Sequence, residues 1–261
     1  MKRVNNISSR ENPIYRFIKS LHQKKVRERN GFFLIEGKRL VDEALNLGVK
    51  IEYIIFNESL EYLPKVNPDC RILKLKNNLF KELSNTVNSQ GIIAVVGFLD
   101  ATLSKVIMDV NPFIIVLNSI QDPGNVGTII RTAAAVKATA VFLTKGTVEL
   151  YNSKVIRSTM GALFQIPIVR HFEDDRAVKW LNEHEIDIIV ADLEGKVDYY
   201  SADLNKPLAL VIGNENNGPD DVWKNAAYEK VKIPIPGITE SLNASVAAGI
   251  LIYDVLRQRK G

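Results

Sequence analysis

Only one cysteine, Cys70, occurs in the 261 residues, so no disulfide can form within the chain. Cys70 sits between Asp69 and Arg71 with no nucleophile constellation around it, and reads as an ordinary packing residue. The three histidines, His22, His171 and His184, are scattered and lack the spacing of metal ligands; no metal site is expected. No apolar run approaches the roughly 20 residues that span a bilayer. The start, Met1-Lys2-Arg3-Val4-Asn5-Asn6, is basic but leads into no apolar signal segment, so the cytoplasm is the expected compartment. Several motifs are missing as well. No G-x-G-x-x-G follows a strand, which removes the usual dinucleotide site. Gly213-Asn214-Glu215-Asn216-Asn217-Gly218 runs on into Pro219-Asp220 instead of Lys-Ser/Thr, so it is no phosphate loop of the Walker kind. No G-x-S-x-G elbow offers a serine for acyl transfer.

What is present is a globular composition, 46% hydrophobic and 25% charged, with an uneven charge distribution. The net charge is +4. Residues 1–104 carry 17 Lys+Arg against 11 Asp+Glu, a balance of +6; residues 105–261 carry 17 against 19, a balance of −2. Nine basic and two acidic side chains fall in the first 29 residues. A basic front attached to a neutral body fits a nucleic-acid footprint, and equally a solvated helix face.

The hydrophobic periodicity predicts two α/β units. In the first, 1–104, Asn12-Pro13 opens a helix over 12–29 with Ile14, Phe17, Ile18 and Leu21 inward. Strands follow at Phe32–Ile35, 51–56, 71–75 and 92–98, with helices at 37–47 and 78–83. Residues 99–110 lack a strong apolar pattern and read as the link. In the second unit, 105–261, strands are expected at 113–117, 140–143, 166–169, 186–191, 208–212 and 231–235. Helices are expected at 126–137, 153–163, 175–184, 219–226 and 242–258. Strands alternating with helices imply a parallel sheet covered on both faces, with ligands at the carboxyl ends of its strands. In the last helix Leu242, Val246, Ile250, Tyr253 and Leu256 share the helical period.

Three loops after strands are therefore of interest. Asn118-Ser119-Ile120-Gln121-Asp122-Pro123-Gly124-Asn125 makes a turn, with Asn125 a ready N-cap and Gly127 leaving the first helical turn open to close approach. Arg131 follows one turn on, flanked by apolar and small residues, where an unpaired buried guanidinium would be costly. Gly213 ends the second strand of interest and lets a flat ligand approach the backbone, with Glu215 beside it. Pro234 and Pro236 stiffen the third loop. Ser241 is placed to cap the last helix, whose first turn holds Asn243 and Ser245 and whose N–H groups could face an anion. Taken singly, each loop also reads as a plain turn or cap.

Together, in this order and spacing, the three segments resemble motifs 1, 2 and 3 of the SpoU (TrmH) family of RNA ribose methyltransferases, over about 113–258. Phe33-Leu34-Ile35-Glu36-Gly37-Lys38-Arg39-Leu40 and Ser89-Gln90-Gly91-Ile92 resemble the small RNA-substrate-binding domain that many members carry in front. The resemblance implies a deep trefoil knot near the C-terminus, otherwise very rare. It implies S-adenosylmethionine as cofactor and a homodimer whose RNA site draws on both subunits. It also implies transfer of a methyl group to a ribose 2′-hydroxyl, with ribosomal RNA favoured over transfer RNA. Matching positions for the cofactor are Thr144, Ile212, Gly213, Ile233, Ile235 and Leu242. Matching positions for the chemistry are Asn125, Arg131, Glu215, Ser241 and Asn243. The family ties Arg131 to the hydroxyl proton, with Asn125 positioning it. Arginine holds its own proton too tightly to be a good base, so holding an RNA phosphate suits it better. Ala244 departs from the more usual Val. The rival readings are a transfer-RNA enzyme, a noncatalytic RNA-binding protein on the same fold, and a different α/β nucleotide enzyme. Retention of the five polar positions argues against the noncatalytic protein, and the missing phosphate loops against the other nucleotide enzyme.

Overall fold

The computed structural model describes residues 4–60, 70–106 and 109–260. The chain divides into two compact units. One runs to Leu99 and takes in Tyr151–Ser153; the other holds Asp100–Leu150 and Lys154 onwards.

The front unit is a five-stranded mixed sheet with helices. Its elements are β1 (Val4–Ile7), α1 (Pro13–Ser20), α2 (Lys24–Asn30), β2 (Phe32–Glu36), α3 (Lys38–Asn46), β3 (Ile51–Asn57), β4 (Arg71–Leu75), α4 (Asn77–Leu83) and β5 (Ile92–Gly97). The strand order is β1-β4-β3-β5-β2. β1 and β3 run parallel to β4, whereas β5 runs antiparallel to β3 and β2. Asn12 starts α1 as expected, its side-chain oxygen accepting from the N–H of Ile14 at 2.9 Å. The single helix expected over 12–29 is instead two, α1 and α2. The Arg27 guanidinium turns back and donates to the carbonyls of Leu21 and His22, both at 2.8 Å. It satisfies backbone acceptors that a helix end leaves open, which makes the corner stable. β1 has no apolar pattern, since only Ile7 is buried; its pairing with β4 creates it.

The second unit is a seven-stranded sheet, all parallel, in the order β10-β12-β9-β11-β6-β7-β8. Its elements are β6 (Phe113–Leu117), α5 (Pro123–Ala135), β7 (Ala140–Thr144), α6 (Ser153–Thr159), β8 (Ile168–Phe172), α7 (Asp174–Glu183), β9 (Asp187–Ala191), β10 (Val197–Asp198), β11 (Leu208–Ile212), α8 (Asp221–Ala226), β12 (Glu229–Lys232) and α9 (Ala244–Lys260). β6, β7 and β11 are buried at every position, the continuous apolar signature of a sheet covered on both faces. α6 stops at Thr159, short of 163, because Met160 and Gly161 both have positive φ, 51° and 94°. β12 ends at Lys232, before Pro234 and Pro236, which have no N–H to give a ladder. In α9 the face buried within the chain is Ala244, Ala248, Leu251, Ile252 and Val255. Val246 and Tyr253 of the expected stripe are exposed, at 52% and 53%.

One electrostatic cluster in the front unit has a measurable consequence. Glu82 of α4 takes hydrogen bonds from Arg10 Nε at 2.8 Å, Lys19 Nζ at 2.5 Å and Tyr15 Oη at 3.1 Å. Lys19 and Arg10 hold its carboxyl well below the usual range, at about 2, while burial pushes the Tyr15 phenol up to about 12. A depressed folded-state carboxyl adds stability above its unfolded value and loses it as pH falls through the folded one. Glu82→Gln is expected to lower the melting temperature at pH 6, with the gap to the parent narrowing steadily below the unfolded carboxyl's range and mostly gone near pH 2. A melting-temperature series over pH 2 to 6 checks this; a gap that does not narrow on acidification would contradict it.

Candidate active site

Parallel order makes β6 the point where the chain reverses direction across the sheet. β7 and β8 lie to one side, β11 and β9 to the other. A crevice is expected there, between the carboxyl ends of β6 and β11. Polar groups of the protein occupy that place. Asn118, fully buried, follows β6 and accepts from the Asp220 N–H at 2.8 Å. Its amide donates to Asp220 Oδ2 at 2.8 Å and to Thr144 Oγ1 at 3.2 Å. Close by, burial pushes the Asp174 carboxyl above its usual range.

The cavity opens one strand further over. It measures about 320 Å³ and lies at the carboxyl ends of β9, β11 and β12, against the start of α9. Ile212, Ile233, Ile235, Leu242 and Leu251 supply apolar wall; Asp192, Glu194 and Glu215 supply carboxylates; Lys224 and Lys232 are its lysines. Gly213 is required by the loop that forms one side. A Cβ there would stand 2.1 Å from Pro219 N, closer than any real contact. Its role is thus to let the 213–219 backbone fold back on itself, more directly than to admit a flat ligand.

Five of the six expected cofactor positions line this cavity: Ile212, Gly213, Ile233, Ile235 and Leu242. Thr144 does not; it is 3% exposed and bonded to Asn118. Of the expected chemical positions, Glu215 and Ser241 line the cavity. Asn125 joins them through Glu215, donating to its Oε1 at 2.9 Å across 90 residues of sequence. Asn125 is therefore not the helix cap. Asp122 caps α5, accepting from the Asn125 N–H at 2.8 Å. Gly127 packs α5 against α6: a Cβ there would lie 2.4 Å from Ser158 Cβ and 2.8 Å from Val155 O. Arg131 is exposed on α5 and its side chain forms no hydrogen bond or ion pair with a described residue, so the cost expected for a buried guanidinium does not arise. Nor is Ser241 the cap of α9. Asn243 takes that place, its Oδ1 accepting from the Ser245 N–H at 2.9 Å and Ser245 Oγ at 2.7 Å. Sequence reasoning misses Asn118, Asn214 and Asp220. The sign available there is position: they are polar residues directly after the buried runs 113–117 and 208–212, or closing the second loop.

Residues 112–253 match the model of the SpoU rRNA Methylase family. The chain belongs to that family. Within this SpoU-family chain, residues 12–94 match the MRM3-like substrate binding domain. It is 32% identical to the 23S rRNA (guanosine(2553)-2′-O)-methyltransferase of Bacillus subtilis, over 96% of this chain and 98% of the relative. Its fold superposes on an AdoMet-bound rRNA methyltransferase from Sinorhizobium meliloti with a TM-score of 0.87, at 29% identity, covering 97% and 98% of the two chains. The AdoMet complex of the SpoU methyltransferase AviRb from Streptomyces viridochromogenes gives 0.89 at 26% identity, covering 96% and 99%.

The two polar residues at the start of α9 are separable by stability. Removing a side-chain cap costs about 1 kcal/mol. Asn243→Ala is expected to destabilise the protein by about that amount, whereas Ser241→Ala leaves stability unchanged, since its exposed side chain caps nothing. Denaturant titration of both variants is the check, and equal losses would contradict the assignment of the cap.

Proposed function

We propose that this chain transfers a methyl group from S-adenosylmethionine to a ribose 2′-hydroxyl of ribosomal RNA. The observation that carries the reading is the meeting of the 213–219 loop, the 233–242 loop and the Asn125–Glu215 pair around one cavity. The cavity fits the cofactor by its chemistry. Apolar side chains suit the adenine, carboxylates suit a cationic sulfonium and ammonium, and lysines suit the cofactor's carboxylate. When bound, S-adenosylmethionine supplies an electrophilic methyl on a positively charged sulfur. Ile212, Ile235 and Leu242 exclude water from one side of it, and Glu215 is held in place by the Asn125 amide. Asn125 thereby positions Glu215 within the chain, instead of Arg131. Arg131, exposed and unpaired, is the group to take an RNA phosphate near the reacting ribose. Ser241 orients the ribose or cofactor at the cavity rim, and Asn243 fixes the helix start beneath it. Thr144 supports the Asn118 side chain and does not touch the cofactor.

The same reading includes the trefoil knot, a cytoplasmic site of action, a substrate-docking front unit and a homodimer. Docking is supported by where the basic residues stand. Arg10 and Lys19 are tied to Glu82, Arg16 to Glu11, and Arg27 to backbone. Lys24, Lys25 and Arg29 of α2 are exposed and have no partner among the described residues. The dimer is supported by Val246 and Tyr253, an exposed apolar pair two turns apart on α9.

Calorimetry should show S-adenosylmethionine binding in the presence of a chelator. Arg131→Ala should keep that binding while losing methyl transfer to rRNA; an active Arg131→Ala protein would remove that residue from the chemistry. Reversing Lys24, Lys25 and Arg29 to Glu should weaken RNA binding at least tenfold. It should also flatten the salt dependence, by roughly one unit of slope for each phosphate no longer neutralised. Unchanged affinity and slope would move docking elsewhere. Light scattering should give a dimer for the whole chain and a monomer for Val246→Glu/Tyr253→Glu; a monomeric parent chain would exclude the dimer.

A further inference from the structure

The 213–220 loop is pinned at both ends to the segment that follows β6. At its start, Asn214 Nδ2 donates to the Ser119 carbonyl at 2.9 Å. At its end, the Asn118 side chain accepts from the Asp220 N–H and donates to the Asp220 carboxylate, both at 2.8 Å. Between the pins the loop is closed on itself. Asn214 Oδ1 accepts from the N–H groups of Asn216 and Asn217 at 2.9 and 3.2 Å, and the Gly218 N–H donates to the Asn214 carbonyl at 2.9 Å. Glu215 leaves the middle of this closed turn and meets Asn125. A rigid turn held at two points has little freedom left, so the place of Glu215 follows from the pins.

Asn118 is the interior pin. It is 0% exposed, and each of its side-chain polar atoms is used. Only an amide meets the demand, since one atom must accept from an N–H while the other donates to a carboxylate. An apolar replacement of leucine size would strip the exposed Asp220 carboxylate of its amide donor, leaving it the Ser119 hydroxyl at 3.4 Å, and would leave the buried Thr144 hydroxyl without the Asn118 amide.

We infer that Asn118 is a positioning residue for methyl transfer: its clamp on Asp220 sets the 213–220 loop, and through it the cavity wall and Glu215. This rests on the reading of the cavity as the cofactor site. The clamp joins residues 102 apart in sequence and turns the loops after β6 and β11 into one body.

The polarity of the clamp can be exchanged, which gives the test. Asn118→Asp alone sets two carboxylates against each other. Adding Asp220→Asn restores the bond in reverse, the new amide donating to the new carboxylate. The Asp220 N–H keeps its acceptor, and the Thr144 hydroxyl can turn to donate. Hydrogen exchange of the 213–220 amides and calorimetry with S-adenosylmethionine are measured for the parent, both single variants and the double variant. Asn118→Asp is expected to lose protection in 213–220 and at least tenfold in affinity. Asp220→Asn is expected to lose less, because Asn118 can still donate to its amide oxygen. The double variant is expected to return to within threefold of the parent in affinity, with protection restored. A double variant as impaired as Asn118→Asp, or an Asn118→Asp protein indistinguishable from the parent, overturns the inference. If Asn118→Asp does not fold, the double variant decides: folded and binding supports the clamp, unfolded or nonbinding overturns it. A parent chain that binds no S-adenosylmethionine would defeat the cofactor reading, and the exchange cycle alone would then judge the clamp.

Discussion

Everything at the site depends on the register in which β11 lies beside β6. Ile212 pairs with Leu117, so two strands nearly a hundred residues apart end at the same height. Their loops must then share one small space, and the polar atoms of each have the other as the nearest partner. Several hydrogen bonds follow from this: Asn214 to Ser119, Asn125 to Glu215, Ser119 to Asp220, and the two that join Asn118 and Asp220. In a parallel sheet buried on both faces, loop backbone and polar side chains at the strand ends cannot rely on water alone. For the two buried members, Asn118 and Asn125, an unpaired amide would cost about 1–3 kcal/mol, so the pairing of the two loops is favoured.

This arrangement displaces the ligand site from where topology alone would put it. The crevice between β6 and β11 is occupied by Asn118, Thr144 and Asp220, and the cavity forms at β9, β11 and β12. The loop that closes the crevice is also the wall of the cavity. Glycine at 213 makes the double duty possible, because the backbone of 218–219 lies where any Cβ would be. The result couples the shape of the cavity to residues that never touch it.

The front unit solves a different problem with the same economy of polar groups. Glu36, at the end of β2, accepts from Ser84 Oγ at 2.5 Å and from Thr86 Oγ1 and Ser89 Oγ at 2.8 Å, and the Asn85 N–H at 2.9 Å binds its other oxygen. One carboxylate thus orders a polar loop that has almost no apolar anchor, Val87 being fully exposed. Arg27 does the same for the corner between α1 and α2. In both units a few charged or amide side chains take the place of regular backbone pairing where the chain turns.

Much of this was legible in the residues. Continuous apolar runs such as Phe113–Leu117 and Leu208–Ile212 identify buried parallel strands, because only a doubly covered sheet tolerates them. The spacing of the three polar loops marked the family and brought Glu215, Ser241 and five of the six cofactor positions to one cavity. Other features depended on contacts between distant parts of the chain. Asn125 looked like a cap because caps are local, yet Asp122 fills that role and frees Asn125 for Glu215. Ser241 and Asn243 are both good capping types two positions apart, and only the start of α9 at Ala244 chose between them. Thr144 sits at a strand end, but its hydroxyl meets the Asn118 amide and it does not line the cavity. Periodicity and turn chemistry act over a few residues and are written in sequence. Which polar atom meets which across 90 to 102 residues is set by strand order and register, and these exist only once the sheet has formed.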